Sequence, residues 1–243
     1  YLAAQLGKVL FASLVVGLII PLIVLSKFSL AATITLILAS WIVFAIGKDI
    51  SNKVANKRST IAGLKSLSLS YYGMVLAHIG IAVMLIGAAL TSFFSEERSV
   101  LLAPGESVEL GGYLFTLEGS ERIEGPNYIG DEAELTVIND GELLTVLYPQ
   151  RRLYVASGTP STEMAIDAGF FRDLFVTLGE EKGSGAWSMT LYVKPFVRWI
   201  WLGAIFMAIG GSLAAGDKRY RRLRMKAAEK SGRESKTQTA AEL

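Results

Sequence analysis

Apolar positions along this chain gather into four long runs, and between the third and fourth runs they change to short alternating stretches. Val9–Leu25, Leu30–Ile46 and Trp199–Ala215 are each 17 residues long, and Tyr72–Phe94 is 23. A helix of about 20 apolar residues crosses a bilayer, and about 17 is the lower limit, with tilt or flanking residues making up the difference. Each run is therefore predicted to be a transmembrane helix. Only Ser26–Ser29 separates the first two, which makes them antiparallel neighbours.

After Phe94 the period falls from helical to two. Ser107–Leu110 and Tyr113–Glu118, split by Gly111-Gly112, read as a hairpin, and Glu132–Ile138 and Glu142–Tyr148 flank the turn signal Asn139-Asp140-Gly141. Leu174–Leu178 and Trp187–Val193 are further strands, with the glycine-rich segment Gly179–Gly185 between them. Thr162–Ala168 reads equally as one helical turn or a strand edge. Six or more short strands in roughly a hundred residues make a small antiparallel sandwich or barrel. The expected fold is a multi-pass α-helical membrane protein with four transmembrane helices and an inserted, mostly antiparallel β extracytoplasmic domain. Its parts are helices 1 and 2 (1–47), a connection (48–71), helix 3 (72–94), the β domain (95–194), helix 4 (195–216) and a basic tail (217–243), the tail disordered beyond Ala227.

Charge orients these parts. The net charge of +2 hides 17 Asp/Glu against 6 Lys/Arg over Ser95–Val193, 5 Lys/Arg against one Asp over Gly47–Tyr71, and 9 Lys/Arg against 4 Asp/Glu over Asp217–Leu243. Short basic segments beside spans stay in the cytoplasm, whereas long domains cross regardless of charge. The N-terminus, the 48–71 connection and the tail are thus expected inside, and the acidic β domain outside. Membrane anchoring accounts for the basic tail, so no nucleic-acid partner is inferred. The first run lacks the early basic region and small-residue cleavage site of a signal peptide. A chain that starts at Tyr1 without a methionine reads as the C-terminal part of something longer.

Several chemistries drop out. With no cysteine there is no disulfide, thiolate ligand or thiol nucleophile within the chain. The β region holds no histidine either, which removes Ser/His/Asp and Cys/His nucleophile systems there and leaves an outer-face hydrolase without support. The carboxylate pairs Glu96/Glu97 and Glu180/Glu181 sit beside turn residues and face solvent, and Gly47-Lys48-Asp49 lacks the glycine spacing of a phosphate loop. Arg151-Arg152, after Tyr148-Pro149-Gln150, is the one basic focus in the acidic domain. It can contact a carboxylate or haem propionate by bidentate bonds, or form an ion pair within the domain, the commoner outcome. Lys194–Trp201 marks the return into the bilayer, with Pro195 at a helix start, Lys194 and Arg198 snorkelling, and Trp199 and Trp201 in the aromatic belt.

The only histidine, His78, lies inside the 23-residue run, which has no other ionisable group except its terminal Tyr72. An ionised side chain there costs about 2.5–3.5 kcal/mol on insertion scales, and a neutral imidazole less. Imidazole is a common axial ligand of haem iron, and a hydrogen bond to a neighbouring helix is the alternative. Six-coordinate haem needs two axial ligands on opposite faces. Met74, one turn earlier on the same helix face, approaches from the same side, so a bis-histidine site must take its second imidazole from outside these 243 residues.

The run Tyr72–Gly80, the segments Tyr148–Arg152 and Thr162–Ile166, the stretch Arg172–Glu180, and Lys194–Trp201 followed by Gly210-Gly211 and Lys218–Arg221 together resemble the C-terminal third of CcmF, the cytochrome c maturation haem lyase family. The likeness covers about Tyr72 to Lys226; residues 1–71 match in hydropathy alone. It implies residence in the bacterial plasma (inner) membrane with the β domain in the periplasm, and attachment of haem to the Cys-X-X-Cys-His motif of apocytochrome c. It also implies work with a CcmE-type haem chaperone, a CcmH-type subunit and sometimes a CcmI-type subunit. A structural haem b lies between two transmembrane histidines in such proteins, and His78 falls on the second of them. The family's Trp-rich haem-handling segment and outer histidines lie upstream, so an upstream part of the same protein or a split partner chain would supply the remainder. The rival expectation is a non-catalytic membrane scaffold or permease subunit whose β domain binds protein.

Overall fold

A computed structural model describes residues 2–20, 22, 29–55 and 57–216 of the protein. The end of the first apolar run, most of the Ser26–Ser29 connection and the basic tail lie outside the described residues. The chain forms helices α1 (Leu2–Ile19), α2 (Leu30–Val54), α3 (Thr60–Lys65) and α4 (Leu69–Phe94), then ten strands, then α5 (Val197–Ala215). The described residues make two compact units. One holds α1 with residues 33–85 and 201–216; the other holds residues 29–32 and 86–200.

Three described helices, α2, α4 and α5, are long and apolar enough to cross a membrane, and the first run yields the shorter apolar stretch Gly7–Ile19. Three of the four expected crossings thus have a helix of sufficient length. Within the expected connection 48–71, α2 runs on to Val54, and Ser59 caps α3 by accepting the Ala62 N–H at 3.2 Å. Tyr71 of α4 donates its hydroxyl to Asp49 of α2 at 2.7 Å, and Asp49 also takes Lys53 at 2.7 Å.

Glycines set the approach of α4 to α5. Gly73 and Gly80 recur every seven residues on one face of α4 and meet Gly210 and Gly203 of α5, also seven apart. A Cβ on Gly80 would stand 2.6 Å from the Gly203 carbonyl oxygen, and one on Gly210 would stand 2.5 Å from the Ala77 nitrogen. The two backbones are therefore in contact, with no room for a side chain. The series continues at Gly87, whose nearest neighbours are Phe196, Trp199 and Ile200.

The β unit is a sandwich. One antiparallel sheet has the order β1 (Glu96–Leu102), β10 (Trp187–Pro195), β9 (Arg172–Glu181), β8 (Ala165–Ala168). The other runs β2 (Ser107–Leu110), β3 (Tyr113–Glu124), β4 (Tyr128–Asn139), β6 (Gln150–Tyr154), β7 (Thr159–Glu163), with β5 (Glu142–Leu147) also on β4. Alternate residues of β3, β4, β9 and β10 fill the space between the sheets, among them the fully buried Phe115, Leu135, Val176 and Leu191. Trp187 joins the layers by donating its indole N–H to Ser120 Oγ at 2.9 Å. The predicted turn at Asn139-Asp140-Gly141 has φ of 52° at Asp140 and 82° at Gly141, the left-handed pair of a tight hairpin.

Thr162–Ala168 proves to be strand on both sides of Met164. β7 ends the six-stranded sheet, β8 ends the four-stranded one, and the chain changes layers at Met164. Strands β1 and β6 were not anticipated. β1 opens Glu-Glu-Arg-Ser and takes its register from β10, while β6 lies along the first half of β4 beyond the apolar core. Pro149, buried and without an N–H to offer the ladder, marks where β4 exchanges β5 for β6.

Candidate functional site

His78 is exposed on α4. It precedes Gly80 by two residues, about 200° around the helix axis, so it stands on the side opposite the glycine seam. Its Nδ1 is 2.8 Å from the backbone carbonyl oxygen of Met74. A carbonyl oxygen only accepts, so Nδ1 carries the proton, and in the neutral ring Nε2 is the free base. The ring is thereby oriented by the turn below it and presents its lone pair away from α5. Exposed Met74 and Ile81, one turn to either side, give this face an apolar border.

An imidazole held in this way can act as a metal ligand through Nε2. A backbone carbonyl on Nδ1 is a common outer partner of a metal-bound imidazole and fixes its tautomer and orientation. An exposed imidazole with Nε2 free fits a haem ligand, and His78 would supply it. Among the described residues no group of three or more His, Cys, Asp or Glu is placed to hold a metal ion. The Met74 backbone carbonyl is the feature that the sequence reading missed: the helical spacing of four was noted for the thioether, but spacing equally predicts the carbonyl contact.

Arg151 and Arg152 belong to the other unit, on β6. Arg151 Nη2 is 3.6 Å from Glu180 Oε1, and Arg152 Nη1 is 3.9 Å from Glu163 Oε1. Arg152 also donates from Nε to Gln150 Oε1 at 2.7 Å and lies 4.4 Å over the Tyr128 ring. Its guanidinium is held above its ordinary pKa first by the Tyr154 phenol and then by Tyr128 and Glu163, against partial desolvation. Glu180 is drawn below the usual carboxylate range by Lys182 first and Arg151 second. Both arginines thus have the intradomain ion pairs weighed above. They also border, with Arg122, Asp131 and Pro160, a cavity of about 270 Å³.

The β3–β4–β5 register gathers four carboxylates that are scattered in sequence. Glu118, Glu121, Glu132 and Glu134 surround a cavity of about 290 Å³ with Tyr148. Tyr148 donates to Glu134 at 3.3 Å, Gln150 donates to Glu132, and Thr136 donates to Glu118 at 2.6 Å. Desolvation, then the neighbouring Glu134 and Glu132, push the Tyr148 phenol up from its ordinary value. Cross-strand pairing makes this cluster, and only the register could have foretold it.

Residues 93–195 match a family described as the CcmF C-terminal beta-sandwich. The cytochrome c-type biogenesis protein CcmF of Pseudomonas fluorescens is 45% identical over 221 residues, 91% of this chain and 33% of that protein. CcmF of Escherichia coli (strain K12) is 40% identical over 211 residues, 87% of this chain and 32% of that one. Among solved structures, one titled Cytochrome c Heme Lyase CcmF superposes with a TM-score of 0.68 at 23% identity, over 86% of this chain and 34% of that chain. The chain spans about a third of the length of the curated relatives it matches.

Proposed function

Since the chain belongs to the CcmF family of cytochrome c-type biogenesis proteins, as its C-terminal portion, we propose that it is part of a membrane haem lyase that attaches haem to apocytochrome c. The observation that carries the reading is the oriented, outward-facing imidazole of His78. In this proposal Nε2 of His78 would hold a structural haem b, with the second ligand coming from outside this chain. Haem held there would supply one-electron chemistry. The chain's own residues orient the ring: the Met74 carbonyl keeps the proton on Nδ1, and the exposed Met74 and Ile81 give its face an apolar border. Arg151 and Arg152 line a cavity in which a propionate or a partner carboxylate would have to compete with Glu180 and Glu163. Apocytochrome c and CcmE-, CcmH- and CcmI-type proteins are the proposed partners, with the remainder of the lyase as the source of the second ligand.

The decisive experiment is genetic. In bacteria lacking the native gene, full-length protein carrying His78→Ala is expected to bring covalent c-type haem staining down to background at wild-type membrane abundance. Staining and haem content both unchanged would leave the chain as a protein-binding scaffold.

The proposed topology has four crossings in the bacterial inner membrane: helices 1 and 2 within 1–47, a cytoplasmic connection at 48–71, crossings at 72–94 and 195–216, the β domain 95–194 in the periplasm, and the tail 217–243 inside. The acidic β region between basic flanks supports it. A periplasm-dependent reporter inserted at Gly141 should be active; activity confined to a cytoplasmic reporter at the same place reverses the orientation.

A further inference from the structure

The turn between β8 and β9 carries two aromatic side chains that the sandwich does not use. Phe170 is 54% exposed and Phe171 is 61% exposed, at the tip of a connection whose ends are pinned. The Gly169 N–H is shared between the Arg172 carbonyl at 2.9 Å and Asp173 Oδ1 at 3.1 Å, and Arg172 closes the base through an ion pair with Asp167. A turn held this firmly presents its tip in one orientation. The tip itself, Gly169-Phe170-Phe171, has no charge.

The two rings lie against the first turn of α5. Phe170 and Phe171 pack edge to face at 5.0 Å, and their centroids are 5.9 Å and 6.5 Å from the Trp199 ring. Phe196 joins at 5.9 Å from Phe171 and 4.9 Å from Trp199, and its N–H donates to the Phe171 carbonyl at 2.9 Å. Thr91, near the end of α4, donates to the Pro195 carbonyl at 2.6 Å, so the same unit ties the close of one apolar helix to the opening of the next. Trp199 Nε1 is buried without a hydrogen-bond partner, which marks the cluster as an apolar surface and not a polar anchor.

Depth follows from contact. A 19-residue helix is about 28 Å long, close to the thickness of the hydrocarbon layer, so a crossing α5 puts its first turn at the membrane boundary. Rings within 7 Å of Trp199 are then at the same level. Exposed aromatic rings at that level are favoured by the headgroup zone and disfavoured by water. From this continuity we infer that the β8–β9 turn is a membrane foot: Phe170 and Phe171 insert at the boundary between headgroups and acyl chains, beside the start of α5. The inference rests on the reading of α5 as a bilayer crossing. It gives the sandwich an attachment to the lipid surface in addition to the two helices that bracket it in sequence.

The absence of native cysteine in this chain makes the test direct. Phe171→Cys, carrying bimane, is reconstituted in phosphatidylcholine vesicles with either headgroup-nitroxide lipid or aqueous iodide as quencher. Leu143→Cys, on the exposed β5, is the aqueous reference, and Ile205→Cys, exposed on α5, reports the crossing itself. Lipid nitroxide is expected to quench position 171 several-fold more than position 143, with iodide showing the reverse order. Phe170→Cys gives the same readout independently, so poor folding of one variant leaves the other to decide. Position 171 quenched only by iodide, or shielded from both quenchers as under a protein partner, overturns the inference while quenching at 205 keeps the crossing. Loss of lipid quenching at 205 as well removes the crossing and the inference with it.

Discussion

Replacing His78 with glycine in the full-length protein is expected to abolish the low-spin haem spectrum of the purified membrane complex, and added imidazole is expected to restore it. The expectation comes from geometry. The only imidazole of the chain projects from the face of α4 opposite the Gly73/Gly80 seam, with its proton committed to the Met74 carbonyl and Nε2 free. Removing the ring while keeping the helix leaves a space of imidazole size, which free imidazole in solution can fill from the same direction. Rescue separates a ligand from a packing residue, because a packing defect would not be repaired by a small base that coordinates iron. A companion variant separates the two donors on this turn. Met74→Leu retains the backbone carbonyl that orients His78 and removes the thioether, so the spectrum should be unchanged. A spectrum lost in Met74→Leu and kept in His78→Gly would assign the axial position to sulfur.

The imidazole could be singled out from sequence because a lone titratable ring in a long apolar run has few inexpensive explanations. Its orientation could not be read at the same level. Which side of α4 faces α5 depends on the glycine seam, and that seam is recognised only when Gly203 and Gly210 are seen opposite Gly80 and Gly73. In the sandwich, strands whose alternation is driven by core burial, such as β10 with Trp187, Met189, Leu191 and Val193 turned inward, were legible from period alone. β1 and β6 were not, because charged and polar residues occupy them and their pairing is imposed by β10 and β4. Thr162–Ala168 was ambiguous for a physical reason: it is two short edge strands in different layers, and neither has a complete period of burial. The acidic cavity around Tyr148 and the arginine-lined cavity at Arg151 and Arg152 are products of register, which alternation leaves open by two residues at a time.

The second large effect is expected at Gly80. A leucine there places its Cβ 2.6 Å from the Gly203 carbonyl oxygen and 2.8 Å from the Met207 nitrogen, both main-chain atoms that no rotamer change can move. Overpacking in a well-filled interior costs about 1–3 kcal/mol even where side chains can adjust. Here the helices themselves must separate, so Gly80→Leu should lower the thermal midpoint of the detergent-solubilised protein by more than any substitution on the outer face. Gly80→Ala should show the same sign with a smaller shift. Gly211→Ala, next in sequence to a seam glycine but with nothing within 4 Å of the added methyl, should be close to neutral. The order of the three matters more than the size of any one, since equal shifts at 80 and 211 would show that helix propensity and not backbone contact is being measured. The seam also bears on the imidazole. His78 is two residues from Gly80, so rotating α4 to relieve the clash turns Nε2 away from whatever it meets outside this chain. Gly80→Leu should therefore reduce retained haem with every ligand atom still present, and full retention in a protein whose midpoint has fallen would detach helix packing from the site.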